Sequence, residues 1–339
     1  MLSLASVVGH RRLTALLSQT ISRGTLPPTL LFVGPPGVGK YRVGKTIAAA
    51  LNCLSPVTSL TDIVFDACGT CRSCDRIARD VHVDVLTLMP DDRASIKTDV
   101  IRDVLERTGY RPFEGRRRVV IIRGADALED QAQNALLKSL EEPPPGTVFI
   151  LTTAAPSMLL PTVRSRCIRL RFGRLSEQQV AEVLARDFDL SPQDIRTAAA
   201  LADGSVGQAL AMGTTDLLVL RESALRLLEQ TAKPTASAQR VQAAGVLVTT
   251  PARKERTREE LALALGLMSS MLRDIELLNS GGDGRRLANP GIADELRGIA
   301  PAFRGDRARA AFAVVDRAID AVRRNAGIKV VGEWLAVQV

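Results

Sequence analysis

The sequence predicts an α/β fold, with a doubly wound parallel sheet in the first half of the chain and helices alone in the second. Three observations carry this prediction. Short continuous apolar runs alternate with helical segments up to Phe172, a glycine-rich turn follows the first of those runs, and no convincing strand appears beyond Phe172. The 339 residues exceed one typical domain, so two or three are expected. Aromatic residues make up only 3% and Trp334 is the sole tryptophan, so Leu, Val, Ile and Ala must fill the cores, which disfavours an all-β sandwich.

Taken in order, residues 10–23 place Leu13, Leu16, Leu17 and Ile21 at spacings of three and four, which predicts an amphipathic helix ended by Gly24 and the Pro27-Pro28 pair. Leu30 to Val33 is a buried parallel strand of the kind that leads into a phosphate loop, and a helix runs from that loop through Leu51. Further strands are predicted at Val83 to Leu88, Val119 to Ile122, Val148 to Thr152 and Ile168 to Phe172, with helices near Val100 to Thr108 and Gln131 to Glu142. Ser176 with Gln179, and Ser191-Pro192 with Asp194, are helix-start signatures that open a small helical segment over 173–213. Beyond it lie long helices at Leu217 to Thr231, Arg256 to Asn279 and Arg307 to Arg324. The last carries Ala308, Ala311, Val315, Ala318 and Val322 on one stripe, and a loop Ser280-Gly281-Gly282-Asp283-Gly284 precedes it.

No apolar run approaches the roughly 20 residues needed to cross a bilayer, and no basic stretch precedes the first short apolar run, so a soluble cytoplasmic protein is expected. The net charge of +8 permits an anionic partner such as nucleic acid but does not identify one. Arg116, Arg117, Arg118, Arg164, Arg166, Arg169 and Arg171 are candidates to face phosphates, and the lack of interleaved aromatics argues against sequence-specific base reading.

Gly34-Pro35-Pro36-Gly37-Val38-Gly39-Lys40 has phosphate-loop spacing: Gly34, Gly37 and Gly39 let backbone N–H groups turn inward, and Lys40 reaches the terminal phosphates. Tyr41 stands where Ser or Thr should hold magnesium. A second register, Gly39 to Thr46, matches as a pattern but would run through the following helix, so it is rejected. Hydrolysis also needs acids at the end of a neighbouring strand, and Val119 to Ile122 is followed instead by Arg123-Gly124. Asp126 is better placed to start the next helix than to replace them. Such a loop should not turn over ATP.

Cys53, Cys68, Cys71 and Cys74 supply four thiolates at knuckle spacing, enough to close a tetrahedral zinc site, with an iron–sulfur centre as the alternative. His10 and His82 read as structural histidines, because four sulfurs already complete the shell.

These motifs together resemble the clamp-loader branch of the AAA+ proteins, of the bacterial DNA polymerase III holoenzyme. The carriers are Val8-Gly9-His10, the phosphate loop, the cysteine module placed after the first loop helix, and Arg111-Pro112-Phe113-Glu114-Gly115. They continue with Asn134-Ala135-Leu136-Leu137-Lys138-Ser139-Leu140-Glu141-Glu142-Pro143-Pro144, Ser165-Arg166-Cys167 and Asn325-Ala326. The resemblance implies an AAA+ domain with a zinc module over 1–172, a helical lid over 173–213 and a helical collar over 214–339. It makes Arg166 an arginine finger acting in trans, and Thr152 and Thr153 sensor-like residues beside the loop. It places Gly204-Ser205-Val206-Gly207 where motor subunits carry a lid arginine. The implied function is a non-hydrolysing stator that completes a neighbour's ATP site while a sliding clamp is loaded on primed DNA, with gamma/tau and delta subunits as partners. The rivals are an active AAA+ ATPase, whether a motor subunit or a recombination-type enzyme, and a stand-alone zinc nucleic-acid-binding module with a decayed loop.

Overall fold

The computed structural model describes residues 2–58, 62–91, 95–202, 204–214, 217–233, 237–249, 256–281, 287–324 and 326–338. Gly282 to Gly284 and Asn325 therefore lie outside the described residues. The chain forms two compact units: Met1–Val183 with Gly204–Gly207, and Leu184–Asp203 with Gln208–Val339.

The first unit is a five-stranded parallel sheet between helices. Its elements are α1 (Arg11–Ser22), β1 (Thr29–Val33), α2 (Lys40–Asn52), a hairpin of β2 (Val57–Thr58) and β3 (Phe65–Asp66), α3 (Arg72–Ala78), β4 (Val85–Leu88), α4 (Thr98–Thr108), β5 (Arg118–Arg123), α5 (Asp130–Glu141), β6 (Thr147–Thr153), α6 (Pro161–Ser165) and β7 (Ile168–Arg171). The order across the sheet is β4-β5-β6-β1-β7, which puts the loop-bearing strand β1 between β6 and β7. Because side chains alternate along a strand, each strand feeds two cores. Leu30, Phe32, Val119, Ile121, Val148 and Ile150 pack on the face that holds Ile47 of α2 and Leu17 of α1. Leu31, Val33, Val120, Ile122, Phe149 and Leu151 pack on the opposite face, with Ile101 of α4 and Leu136 of α5. Strands buried on both faces read as continuous apolar runs, which is why they stand out in the sequence.

Helix α1 departs from expectation in one respect. Leu16 is 50% exposed, and the buried face is completed by Thr14 and Ser18 beside Leu17 and Ile21. Ser18 is buried because its hydroxyl both donates to the Phe65 carbonyl and accepts from the Phe65 N–H, each at 2.8 Å. Those two bonds tie α1 to the hairpin and remove the usual cost of burying a hydroxyl.

Arg118 is also not where its neighbours in the Arg116-Arg117-Arg118 run suggest. It is buried, not turned to phosphates: its Nη2 donates to Asp84 at 2.9 Å, and other guanidinium N–H groups donate to the Tyr110, Arg111 and Arg107 carbonyls. Asp84 also accepts the backbone N–H groups of Phe113, Glu114 and Gly115 at 2.8 Å each. Burial alone would raise its pKa, but these N–H bonds and Arg118 hold it down at about 2.

The second unit is helical throughout the described residues. It contains α8 (Pro192–Leu201), α10 (Leu217–Ala232), α11 (Ser237–Val248), α12 (Arg258–Asn279), α13 (Ala293–Ile299), α14 (Asp306–Arg323) and α15 (Ile328–Gln338), while α7 (Glu177–Asp187) and α9 (Val206–Thr214) begin in the first unit. The helix starts read from sequence are built as capping pairs. Ser176 exchanges bonds with Gln179, and the Ser191 hydroxyl accepts the Asp194 N–H. The predicted stripe on α14, from Ala308 to Val322, is buried at every position. Helix α11 is not among the elements read from the sequence. No helix among the described residues is long and apolar enough to cross a membrane.

Candidate functional site

Strand β1 delivers the chain into the loop at Gly34, and α2 begins at Lys40. Gly37 and Gly39 have φ of +72° and +98°, a region that costs a side chain strain, so glycine there sets the loop's path. Lys40 is buried, and its ammonium donates to the carbonyls of Gly34 and Pro35 at 2.5 Å each. Burial lowers its pKa to about 8, opposed by the negative charge of Asp126. The rejected second register is confirmed as helix: Lys45 pairs with Asp80 at 2.8 Å, and the Thr46 hydroxyl donates to the Arg42 carbonyl.

Tyr41 occupies the magnesium-hydroxyl position as part of a cluster. Its hydroxyl donates to Asp80 at 3.0 Å, the Arg123 guanidinium lies 5.4 Å from its ring centre, and the Lys45 ammonium lies 5.7 Å away. The loop position of the magnesium hydroxyl is thus filled by an aromatic side chain, with a carboxylate and two cations around it. Asp126 does not start α5, which begins at Asp130. It sits in the turn Ala125–Ala127 just after β5, where it accepts from the Thr153 hydroxyl at 2.6 Å and the Ala154 N–H at 3.2 Å. Thr153 also joins β6 to the loop, since its carbonyl accepts the Gly34 N–H at 3.2 Å. The hydroxyl of Thr152 accepts the Gly124 N–H at 3.2 Å.

Two further groups meet the loop. His10 lies 3.3 Å from the Val38 carbonyl and packs edge-on against Phe172. Gly207 donates its N–H to the Gly37 carbonyl at 2.9 Å, so close that a Cβ on Gly207 would stand 2.8 Å from Gly37 Cα. A lid arginine would not fit at position 207 in this arrangement.

The four cysteines converge. Their sulfurs lie within 4.8 Å of one another, against about 3.8 Å expected around one tetrahedral ion with sulfur ligands at about 2.3 Å. The Cys68 N–H points at the Cys53 sulfur at 3.2 Å and the Cys71 N–H at the Cys68 sulfur at 3.3 Å, the outer bonds that thiolate ligands accept. Backbone N–H bonds, that of Thr70 first, lower the Cys68 thiol pKa to about 6. The donor set therefore fits zinc. The module is roped to the chain's start by Asp66, which accepts from the Ser3 hydroxyl and the N–H groups of Leu4 and Ala5. The remaining cysteine, Cys167, is buried away from the cluster, and its thiol pKa is pushed up to about 11.

Arg166 caps the C-terminus of α6, two residues before β7. Its backbone is pinned to the sheet, since its carbonyl accepts the Thr29 hydroxyl at 2.8 Å. The guanidinium remains near the surface, paired with Glu141 at 3.0 Å.

A P-loop strand flanked by parallel neighbours, a lysine at the start of the following helix and threonines at the adjacent strand end define a nucleotide-loop ATPase fold of the AAA+ type. Comparison with known families agrees with that class. The family model described as DNA polymerase III, delta subunit, matches residues 9–176. The delta' subunit of DNA polymerase III from Pseudomonas aeruginosa is 35% identical over 193 residues, 56% of this chain and 57% of that one. The tau subunit from Escherichia coli is 32% identical over 213 residues, 61% of this chain and 32% of that one. A gamma subunit-related protein of Thermotoga maritima overlays 91% of the chain at 17% identity with a TM-score of 0.39, too loose a likeness to bear on function. Over residues 9–176 the chain carries the sequence signature of the bacterial DNA polymerase III clamp-loader family of AAA+ DNA replication proteins. It spans just over half the length of the delta' relative and a third of the tau relative.

Proposed function

We propose that this chain is a delta-prime-type stator of the clamp loader: it does not hydrolyse ATP itself, and it supplies Arg166 to a neighbouring ATPase subunit while the sliding clamp is loaded on primed DNA. The observation that carries this reading is the Tyr41–Arg123–Asp80 cluster at the metal position of the loop. Arginine there repels magnesium, and the ring replaces a hydroxyl ligand, so the two groups that would hold the ion are lost together. The contact of Gly207 with Gly37 supports the same reading, because it fills the place of the lid arginine with backbone. In this scheme residues 1–172 are the AAA+ domain, 173–213 the lid and 214–339 the collar that joins gamma/tau and delta partners in the cytoplasm. Cys53, Cys68, Cys71 and Cys74 hold zinc, which closes the module without an open coordination position and so serves structure.

Phosphoryl transfer needs charge neutralised as it develops on the transferring group. A guanidinium does this without proton exchange and with a planar fork, which suits Arg166 for the task in trans. An active ATPase is the second reading, favoured by Asp126, which faces Lys40 electrostatically and is held by Thr153. Steady-state hydrolysis separates them. The isolated chain with ATP and magnesium should turn over no faster than buffer, and Lys40→Ala should leave loading by the reconstituted complex near wild type. Turnover that Asp126→Asn abolishes would establish the second reading. Metal analysis of the purified chain should find about one zinc per chain; iron with sulfide would overturn the zinc assignment.

A further inference from the structure

This inference rests on the trans role of Arg166 proposed above and deepens it. We propose that Glu141 is a positioning residue, which with the Thr162 carbonyl holds the Arg166 guanidinium in one orientation for a nucleoside triphosphate bound by the neighbouring subunit.

The bonding around Arg166 is asymmetric. Its Nε and Nη2 donate to the same carboxylate oxygen, Glu141 Oε2, at 3.1 and 3.0 Å, and its Nη1 donates to the Thr162 carbonyl at 3.1 Å. A guanidinium has five N–H donors. Three are used in these bonds, from two directions, which is enough to define the plane of the group. Two N–H groups are left over from this set, and the side chain keeps 32% of its surface exposed. Arg166 therefore has both an anchored edge and donors for another molecule. Arg118 offers the contrast within the same sheet, because both its terminal nitrogens donate to Asp84 and backbone carbonyls and its Nε is buried without a partner.

The supports are themselves fixed. Glu141 is the last residue of α5, and Pro143 and Pro144 follow, so the helix cannot continue past it. Thr162 lies in α6, which Pro161 opens at its first position. Arg166 caps that helix and is bonded through its carbonyl to Thr29 at the start of β1. A long, flexible side chain on a fixed backbone would still sample many rotamers, and the carboxylate removes that freedom. The pair is too exposed to contribute much to folding, with Glu141 59% open. A carboxylate beside the guanidinium also reduces its net charge, but solvent screens that loss while the orientation persists. Orientation matters because a displacement of about 1 Å at a reacting centre can cost about 100-fold in rate.

The test is a double-mutant cycle in the complex reconstituted with its ATP-hydrolysing subunits, clamp and primed DNA. Arg166→Ala, Glu141→Ala, Glu141→Gln and the Glu141→Ala/Arg166→Ala pair are compared for kcat and KM of DNA-stimulated ATP hydrolysis, with assembly and thermal unfolding measured alongside. Glu141→Ala should lower kcat at the adjoining site by about tenfold and leave KM for ATP within about twofold, because the lost interaction serves the transition state. Glu141→Gln keeps an acceptor oxygen and should recover most of that loss. The double variant should be no slower than Arg166→Ala alone, since a positioning residue has nothing left to position. Assembly and unfolding temperature should be unchanged throughout. If Arg166→Ala is impaired but Glu141→Ala is not, or if Glu141→Ala slows the Arg166→Ala complex equally, the positioning role is wrong and the trans role stands. A faster Glu141→Ala complex would also overturn it, by showing that the carboxylate competes with the phosphate. If Arg166→Ala hydrolyses ATP at the wild-type rate, the trans role itself falls.

Discussion

Two arginine–carboxylate pairs in the first unit have nearly the same length and opposite settings. Arg118 and Asp84 meet at 2.9 Å with side chains 8% and 0% exposed, whereas Arg166 and Glu141 meet at 3.0 Å with 32% and 59% exposed. In the buried pair every partner is internal: carbonyls from the end of α4 and its following loop take the guanidinium, and backbone N–H groups of Phe113 to Gly115 take the carboxylate. That pair locks the loop ahead of β5 to the start of β4. In the exposed pair two N–H donors of the guanidinium are left over, as the proposed trans role requires. Distance alone does not separate these two settings. Burial and the number of donors already committed do.

Four outcomes would sharpen or break this contrast. The largest is Arg166→Ala in the assembled complex, which should depress hydrolysis at the adjoining site by about 1,000-fold if the guanidinium acts on the transferring phosphoryl group. Rapid-quench measurement of that site's single turnover resolves it from the other motor sites. Arg166→Lys should restore little, because a point charge lacks the fork.

Next in size is Arg118→Ala, which takes the guanidinium from the buried Asp84 and leaves its charge to three backbone N–H groups. Denaturant unfolding of the isolated chain should show a loss of about 3 kcal/mol or more, while Arg166→Ala under the same conditions should lose under about 1 kcal/mol. Equal losses from the two substitutions would erase the distinction.

The third outcome is a pH dependence. The Asp84 pKa is lowered in the folded chain, from an ordinary carboxylate value near 4 to about 2. Its contribution is therefore fully present above pH 4 and is lost as pH falls from about 4 towards 2. The difference corresponds to about 2 kcal/mol, and Asp84→Asn should flatten that part of the stability profile. The smallest effect is Glu141→Ala on stability, expected under about 1 kcal/mol by thermal unfolding.

The same contrast shows how far the sequence could be read. Residues whose environment is local announced themselves. The strands β1, β5 and β6 are buried on both faces and so are apolar along their length. The cysteines carry their spacing in the chain, and the helix starts at Ser176 and Ser191 are contacts three residues apart. What is non-local was hidden or misread. Arg116, Arg117 and Arg118 look alike in a row, yet only Arg118 turns inward, because only it reaches Asp84, 34 residues earlier in the chain. Asp126 reads as a helix start until β6 brings Thr153 beside it, 27 residues away.

The sequence by itself determined the alternating α/β pattern, the phosphate loop with its missing magnesium hydroxyl, and the four-sulfur set. Each depends on neighbours within a few residues or on residue type alone. Tertiary structure decided which charges are spent and which are left open. It brought Arg123 and Asp80 to Tyr41, set Gly207 on Gly37, closed the four sulfurs within reach of one ion, and placed Glu141 beside Arg166. The physical reason is that a side chain's donors and solvent exposure are set by whatever the sheet order places next to it. The crossing β4-β5-β6-β1-β7 joins segments that no sequence period connects.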